Sequence, residues 1–122
     1  MLKREAKQAE RLASIVRAAE AIRIPERPDA WAKLAGLADR ADYNGSRIPP
    51  DGIILNGDRF QGILNISVLL RYDPPGEEPF TDSWTFPAEF AGRFRNGEVV
   101  IDTIDVDTRS FFAGEEFADA EQ

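Results

Sequence analysis

Hydrophobic positions near the start of the chain recur every three or four residues. Leu2, Ala6, Ala9, Leu12, Ile15, Val16, Ala19 and Ile22 fall on one stripe, which predicts an amphipathic helix over about residues 2–22. Lys3, Arg4, Lys7, Arg11 and Arg17 lie elsewhere on that cylinder. Pro25 and Pro28 end it, because a proline inside a helix removes a hydrogen bond and crowds the preceding turn. Asp29 then reads as the N-cap of a second helix over about residues 30–41, burying Trp31, Leu34 and Ala38. Asn44-Gly45 and Pro49-Pro50 read as its stop.

From Gly52 the period changes to two. Asn56-Gly57, between Ile53-Ile54-Leu55 and Asp58-Arg59-Phe60, is a short hairpin signal. In the next strand Phe60, Leu64, Ile66, Val68, Leu70 and Tyr72 alternate with polar residues, and Asp73-Pro74-Pro75-Gly76 reverses the chain. A third strand carries Phe80, Trp84 and Phe86 on one face and Thr81, Ser83 and Thr85 on the other. Pro87 marks an edge or a break in it, although the parity continues through Phe90 and Phe94.

Asn96-Gly97 predicts a two-residue turn that pairs Arg95 with Glu98, Phe94 with Val99 and Gly92 with Ile101. Val99 and Ile101 have odd parity, Ile104 and Val106 even. A bulge at about Asp102-Thr103 returns all four to one face and sets Asp105, Asp107 and Arg109 in a row facing solvent. Residues 111–114 read as the end of a strand that runs into an acidic tail.

These elements describe an α+β chain with two N-terminal helices packed on a bent, approximately four-stranded antiparallel sheet. The expected organisation is one domain over residues 1–114, helical in 1–45 and sheet in 46–114, with an acidic tail at 115–122. The arrangement resembles in architecture the cystatin and nuclear-transport-factor-2 type of helix-plus-curved-sheet domain. That resemblance implies a helix held in the concavity of the sheet, with room for an apolar pocket at its mouth.

Composition narrows the chemistry. The 122 residues include neither cysteine nor histidine, which excludes disulfides, thiolate or Cys/His zinc sites and every His-dependent triad. No cofactor or metal site is expected: Asp42-Tyr43-Asn44-Gly45-Ser46 starts like a calcium loop, but Arg47 stands where the glycine is required. No signal peptide or membrane-length apolar run is present, so a cytoplasmic protein is expected, and the Arg, Ala and Asp bias suggests a bacterial or phage source. The net charge of -7 divides into +3 over residues 1–50 and -10 over residues 51–122. That excess argues against direct nucleic-acid binding.

The expected function is a non-catalytic acidic protein-binding module. Asp102, Asp105, Asp107, Glu115 and Glu116 would face a basic partner, as an inhibitor or immunity-type protein that imitates nucleic acid and masks the surface that binds it. A second expectation is a small apolar-ligand pocket lined by Phe80, Trp84, Phe86, Phe90 and Phe94. There Asp82, on the same parity, would be the acid or base if enclosed, and would otherwise reach water or Arg71. A third is an oligomeric assembly subunit joined through the first helix.

Overall fold

The protein is described by a computed structural model over residues 2–112. The chain runs through α1 (Leu2–Glu20), a 3-10 turn (Ile24–Glu26), α2 (Pro28–Ala35) and five strands. These are β1 (Arg40–Arg47), β2 (Ile53–Asn56), β3 (Arg59–Tyr72), β4 (Phe80–Arg95) and β5 (Glu98–Val106). All pairings are antiparallel, in the order β1-β3-β4-β5, and β2 also pairs with β3. β1 and β2 thus share one edge of β3, β2 along Arg59–Gly62 and β1 along Asn65–Arg71.

One face of this sheet takes the helices. Ile15 and Ala19 of α1, Ile24 of the turn, and Ala30 and Leu34 of α2 are buried with Phe60, Leu64, Ile66, Val68, Leu70, Phe86, Ala88 and Phe90. All eight strand positions are even-numbered, as a period of two requires. The end of α1 is tied to β1: the Ile48 N–H donates to Glu20 Oε2 at 2.9 Å, and the Tyr43 hydroxyl to the Ile22 carbonyl at 3.2 Å.

The second helix differs from its sequence pattern. Pro28 takes its first position, where the missing N–H has no helical partner to lose, and Arg27, not Asp29, stands at the cap. It stops at Ala35, and Arg40–Arg47 form β1, so the sheet has five strands and begins before residue 46. Ala41 and Tyr43 pair with Leu70 and Val68, and this non-local burial outweighs the helical propensity of the segment. Asn44-Gly45 is no helix stop. It is a bulge inside β1, with Gly45 at φ 111, an angle that glycine adopts without strain.

The first hairpin pairs Asn56 with Arg59, so its turn is Gly57-Asp58, one residue later than the Asn-Gly pair. The second hairpin has the expected register: Arg95 pairs with Glu98, Phe94 with Val99 and Gly92 with Ile101. Asn96 and Gly97, at φ 53 and 80, supply the two positive angles of a type I′ turn. Ala91 then pairs with Thr103, which leaves Asp102 as the extra residue of the expected bulge.

Two glycines hold the centre of the sheet together. Gly62 lies opposite Phe90, and Gly92 opposite Phe60, so each ring covers the bare backbone of its partner. A Cβ on Gly62 would stand 2.7 Å from Phe90 Cζ, and one on Gly92 2.6 Å from Phe60 Cζ. Over the same end, the Arg11 guanidinium sits 4.4 Å above the Phe94 ring and pairs with Asp58 at 3.0 Å.

Pro87 does not break β4. Its carbonyl accepts the Asp107 N–H, so its polar groups point toward the β5 side, just past the last pair, Ala88 with Val106. The proline therefore costs no bond to β3. Residues 109–112 are helical, which replaces the expected strand terminus; residues 113–122, including the tail, lie outside the described residues.

Candidate functional site

The acids expected to form one row each have a cation beside them. Asp102, at the bulge, is 3.7 Å from Arg93. Lys33 of α2 reaches across to Asp105 at 2.7 Å and also donates to the Val106 carbonyl at 3.2 Å. Asp107 accepts from the side chain of Arg109 at 2.6–3.1 Å and from its backbone N–H at 3.0 Å. That side-chain bond, with the backbone bond next, lowers the Asp107 carboxyl from an ordinary 3.8 to about 2. Glu115 and Glu116 lie outside the described residues.

Asp107 also redirects the chain. Its carboxylate captures the N–H two residues on and starts the helical turn at 109–112. Phe111 then packs over Trp84 and Phe86, with ring centroids 5.1 and 6.5 Å apart. The chain has left the line of β5, and Phe80–Pro87 of β4 has β3 alone as a strand neighbour among the described residues. Thr81, Ser83 and Thr85 share the parity of Pro87, so their N–H and C=O groups point to that open side.

The aromatic series divides along its length. Phe86 and Phe90 are buried and fill the space under the helices, and Trp84 and Phe94 are half-buried at the two ends. Phe80 is 54% exposed and stacks on Tyr72 at 4.9 Å. Asp82 is exposed and accepts from Trp84 Nε1 at 3.1 Å, in place of Arg71. Asp73, Glu77 and Glu78 lie in the connection between β3 and β4 and Asp82 in β4 itself, all exposed, and Phe112, next to Phe111, is 50% exposed.

The sheet face away from the helices is uncovered among the described residues. It carries Arg40, Arg47, Arg59, Arg71, Arg93 and Arg95, so four of the five basic residues after position 50 gather there. Ile54, 62% exposed, and Ile63, 43% exposed, share the face. Around Ala91 it sinks into a depression of about 470 Å³ between Ile54, Arg59, Gln61 and Arg93. The sequence signal for this face was the odd parity of β3 and β4. What it lacked was β1, which brings two of the arginines.

Among the described residues no group of three or more carboxylates converges as a metal site would require, and no helix is long and apolar enough to cross a membrane. The Asp42–Ser46 segment that starts like a calcium loop lies within β1. Comparison with protein-family models, with curated proteins and with solved structures gives no match.

Proposed function

We propose that this chain is a non-catalytic, acidic protein-binding module that takes up an extended basic segment of its partner along the open side of β4. One observation carries the reading: Thr81, Ser83 and Thr85 present backbone donors and acceptors to an edge with no strand partner among the described residues, on a strand that carries exposed Asp82 and follows a connection holding Asp73, Glu77 and Glu78. An added strand gains main-chain hydrogen bonds there, and exposed Phe80 offers it an apolar anchor. Asp73, Glu77, Glu78 and Asp82 favour lysine and arginine on the incoming segment and disfavour acidic competitors. The acids of β5 contribute less, because Lys33, Arg93 and Arg109 already neutralise them.

Such a module acts as an inhibitor where the captured segment is one its owner uses to grip nucleic acid. This reading sets both proteins in the cytoplasm of a bacterium or of a phage-infected cell.

A decapeptide alternating lysine with valine is the probe. Calorimetric titration is expected to show saturable binding that weakens about tenfold or more between ~50 and ~500 mM salt. Ser83→Pro removes one edge donor and leaves the β3 ladder intact, as Pro87 does naturally, so it should weaken binding about tenfold with little change in melting temperature. Unchanged affinity in Ser83→Pro would sink the edge reading.

A further inference from the structure

We propose that the uncovered sheet face is the contact between two copies of this chain. The warrant lies in how charge is arranged around the middle row of that face, Ile54, Gln61, Ala91 and Thr103. Two residues along the strands to one side, Arg59 and Arg93 are direct cross-strand partners. Two residues to the other side, Glu89 and Asp105 are direct cross-strand partners. Like charges placed directly opposite each other destabilise a sheet, and here one pair of each sign flanks a row in which Ile54 and Ala91 alternate with Gln61 and Thr103.

Within the chain the relief is partial. Asp102 stands 3.7 Å from Arg93 and Lys33 2.7 Å from Asp105, whereas Arg59 forms no ion pair among the described residues and Glu89 has only the longer-range attraction of Arg109. A two-fold axis laid along the middle row turns one sheet over onto the other. It brings Glu89 of each copy over Arg93 of its mate, twice, while Arg59 comes over Ile63 and Asp105 over the Val100 end of β5. The same operation places Ile54 and Ile63 between the sheets, where their exposed surface leaves water. Such a contact is isologous and closes at two copies, and two sheets pack this way with their strands within about 30° of each other. The twice-repeated match of Glu89 with Arg93 favours a second copy of the chain as the occupant. The open side of β4 lies outside this face, so the dimer and the binding of a basic segment are independent.

Sedimentation velocity of the full chain over a concentration series is expected to show a monomer–dimer equilibrium. Glu89→Arg and Arg93→Glu should each raise the dimer Kd about tenfold or more, since each sets like charges together twice. An equimolar mixture of the two variants should return to dimers, because every reversed charge then meets its opposite on the other copy. That recovery also shows both variants to be folded, and circular dichroism checks each alone. A parent chain that stays monomeric, single variants that dimerise like the parent, or a mixture that fails to re-form dimers overturns the proposal.

Discussion

Between Ala88 and Arg93, β4 has a strand on each side, and across the rows around Gly62 and Gly92 it exchanges phenylalanine rings with β3. Between Phe80 and Thr85 the same strand has β3 alone among the described residues, and its side chains are exposed or half-buried. The backbone is continuous through Pro87, so the difference comes from what lies beside the strand. In the first half each residue is held by two ladders and by core packing; in the second by one ladder and little burial. A sheet built this way keeps its stability at one end and leaves hydrogen-bonding capacity at the other, as binding regions generally require.

The largest expected effect breaks the closed half. Gly92→Ala forces a methyl group against Phe60 Cζ and the Val100 carbonyl, and neither can withdraw without moving the sheet. Denaturant unfolding should show a loss of about 1–3 kcal/mol, or more if the backbone cannot shift. Phe80→Ala in the open half should cost under about 1 kcal/mol by the same measurement, because it removes one exposed stacking contact.

Hydrogen exchange sharpens the comparison without altering the protein. The amides of Thr81, Ser83 and Thr85 should exchange faster than those of Asp82, Trp84 and Phe86, which bond to β3. No such alternation should appear between Glu89 and Arg95, where odd-numbered amides bond to β5. Uniform protection across Phe80–Phe86 would mean that the edge is covered.

The smallest effect concerns the residue that ends β5. With its carboxyl lowered to about 2, Asp107 contributes stability that is present above the unfolded value of 3.8 and is lost as pH falls from there toward 2. Carboxyl titration followed by NMR should find this low value in the parent chain. In Arg109→Ala, which removes the main cause, the carboxyl should return toward the ordinary range.

The legible parts of the fold are those whose signal is local. Asn96-Gly97 fixes the second hairpin because both residues accept positive φ, and the parity change from Ile101 to Ile104 requires one extra residue wherever it is placed. β1 was illegible for the opposite reason. Its Ala-rich approach favours helix, and only Leu70 and Val68, far along the chain, make Ala41 and Tyr43 better placed in a strand. The Phe-x-Gly repeated at Phe60-Gln61-Gly62 and Phe90-Ala91-Gly92 was a usable signal, since two such runs set antiparallel put each ring over a glycine. Asp105 does face solvent as its parity requires, but its partner Lys33 comes from α2, and no spacing along β5 contains that fact.

The sequence by itself determined the α+β class, the burial parity of β3 and β4, the second hairpin with its bulge, and the exclusion of cysteine and histidine chemistry. Each follows from side-chain volume, turn stereochemistry or functional-group identity, which act over a few residues. Only the tertiary structure decided where charge is exposed. It neutralised the acids of β5 with Lys33, Arg93 and Arg109, turned arginines from β1, β3 and β4 onto one face that is uncovered among the described residues, and left Asp82 exposed on β4. Ionic contacts join residues that are distant in the chain, so a net charge of -7, or even its division between two halves, does not say which charges a partner meets.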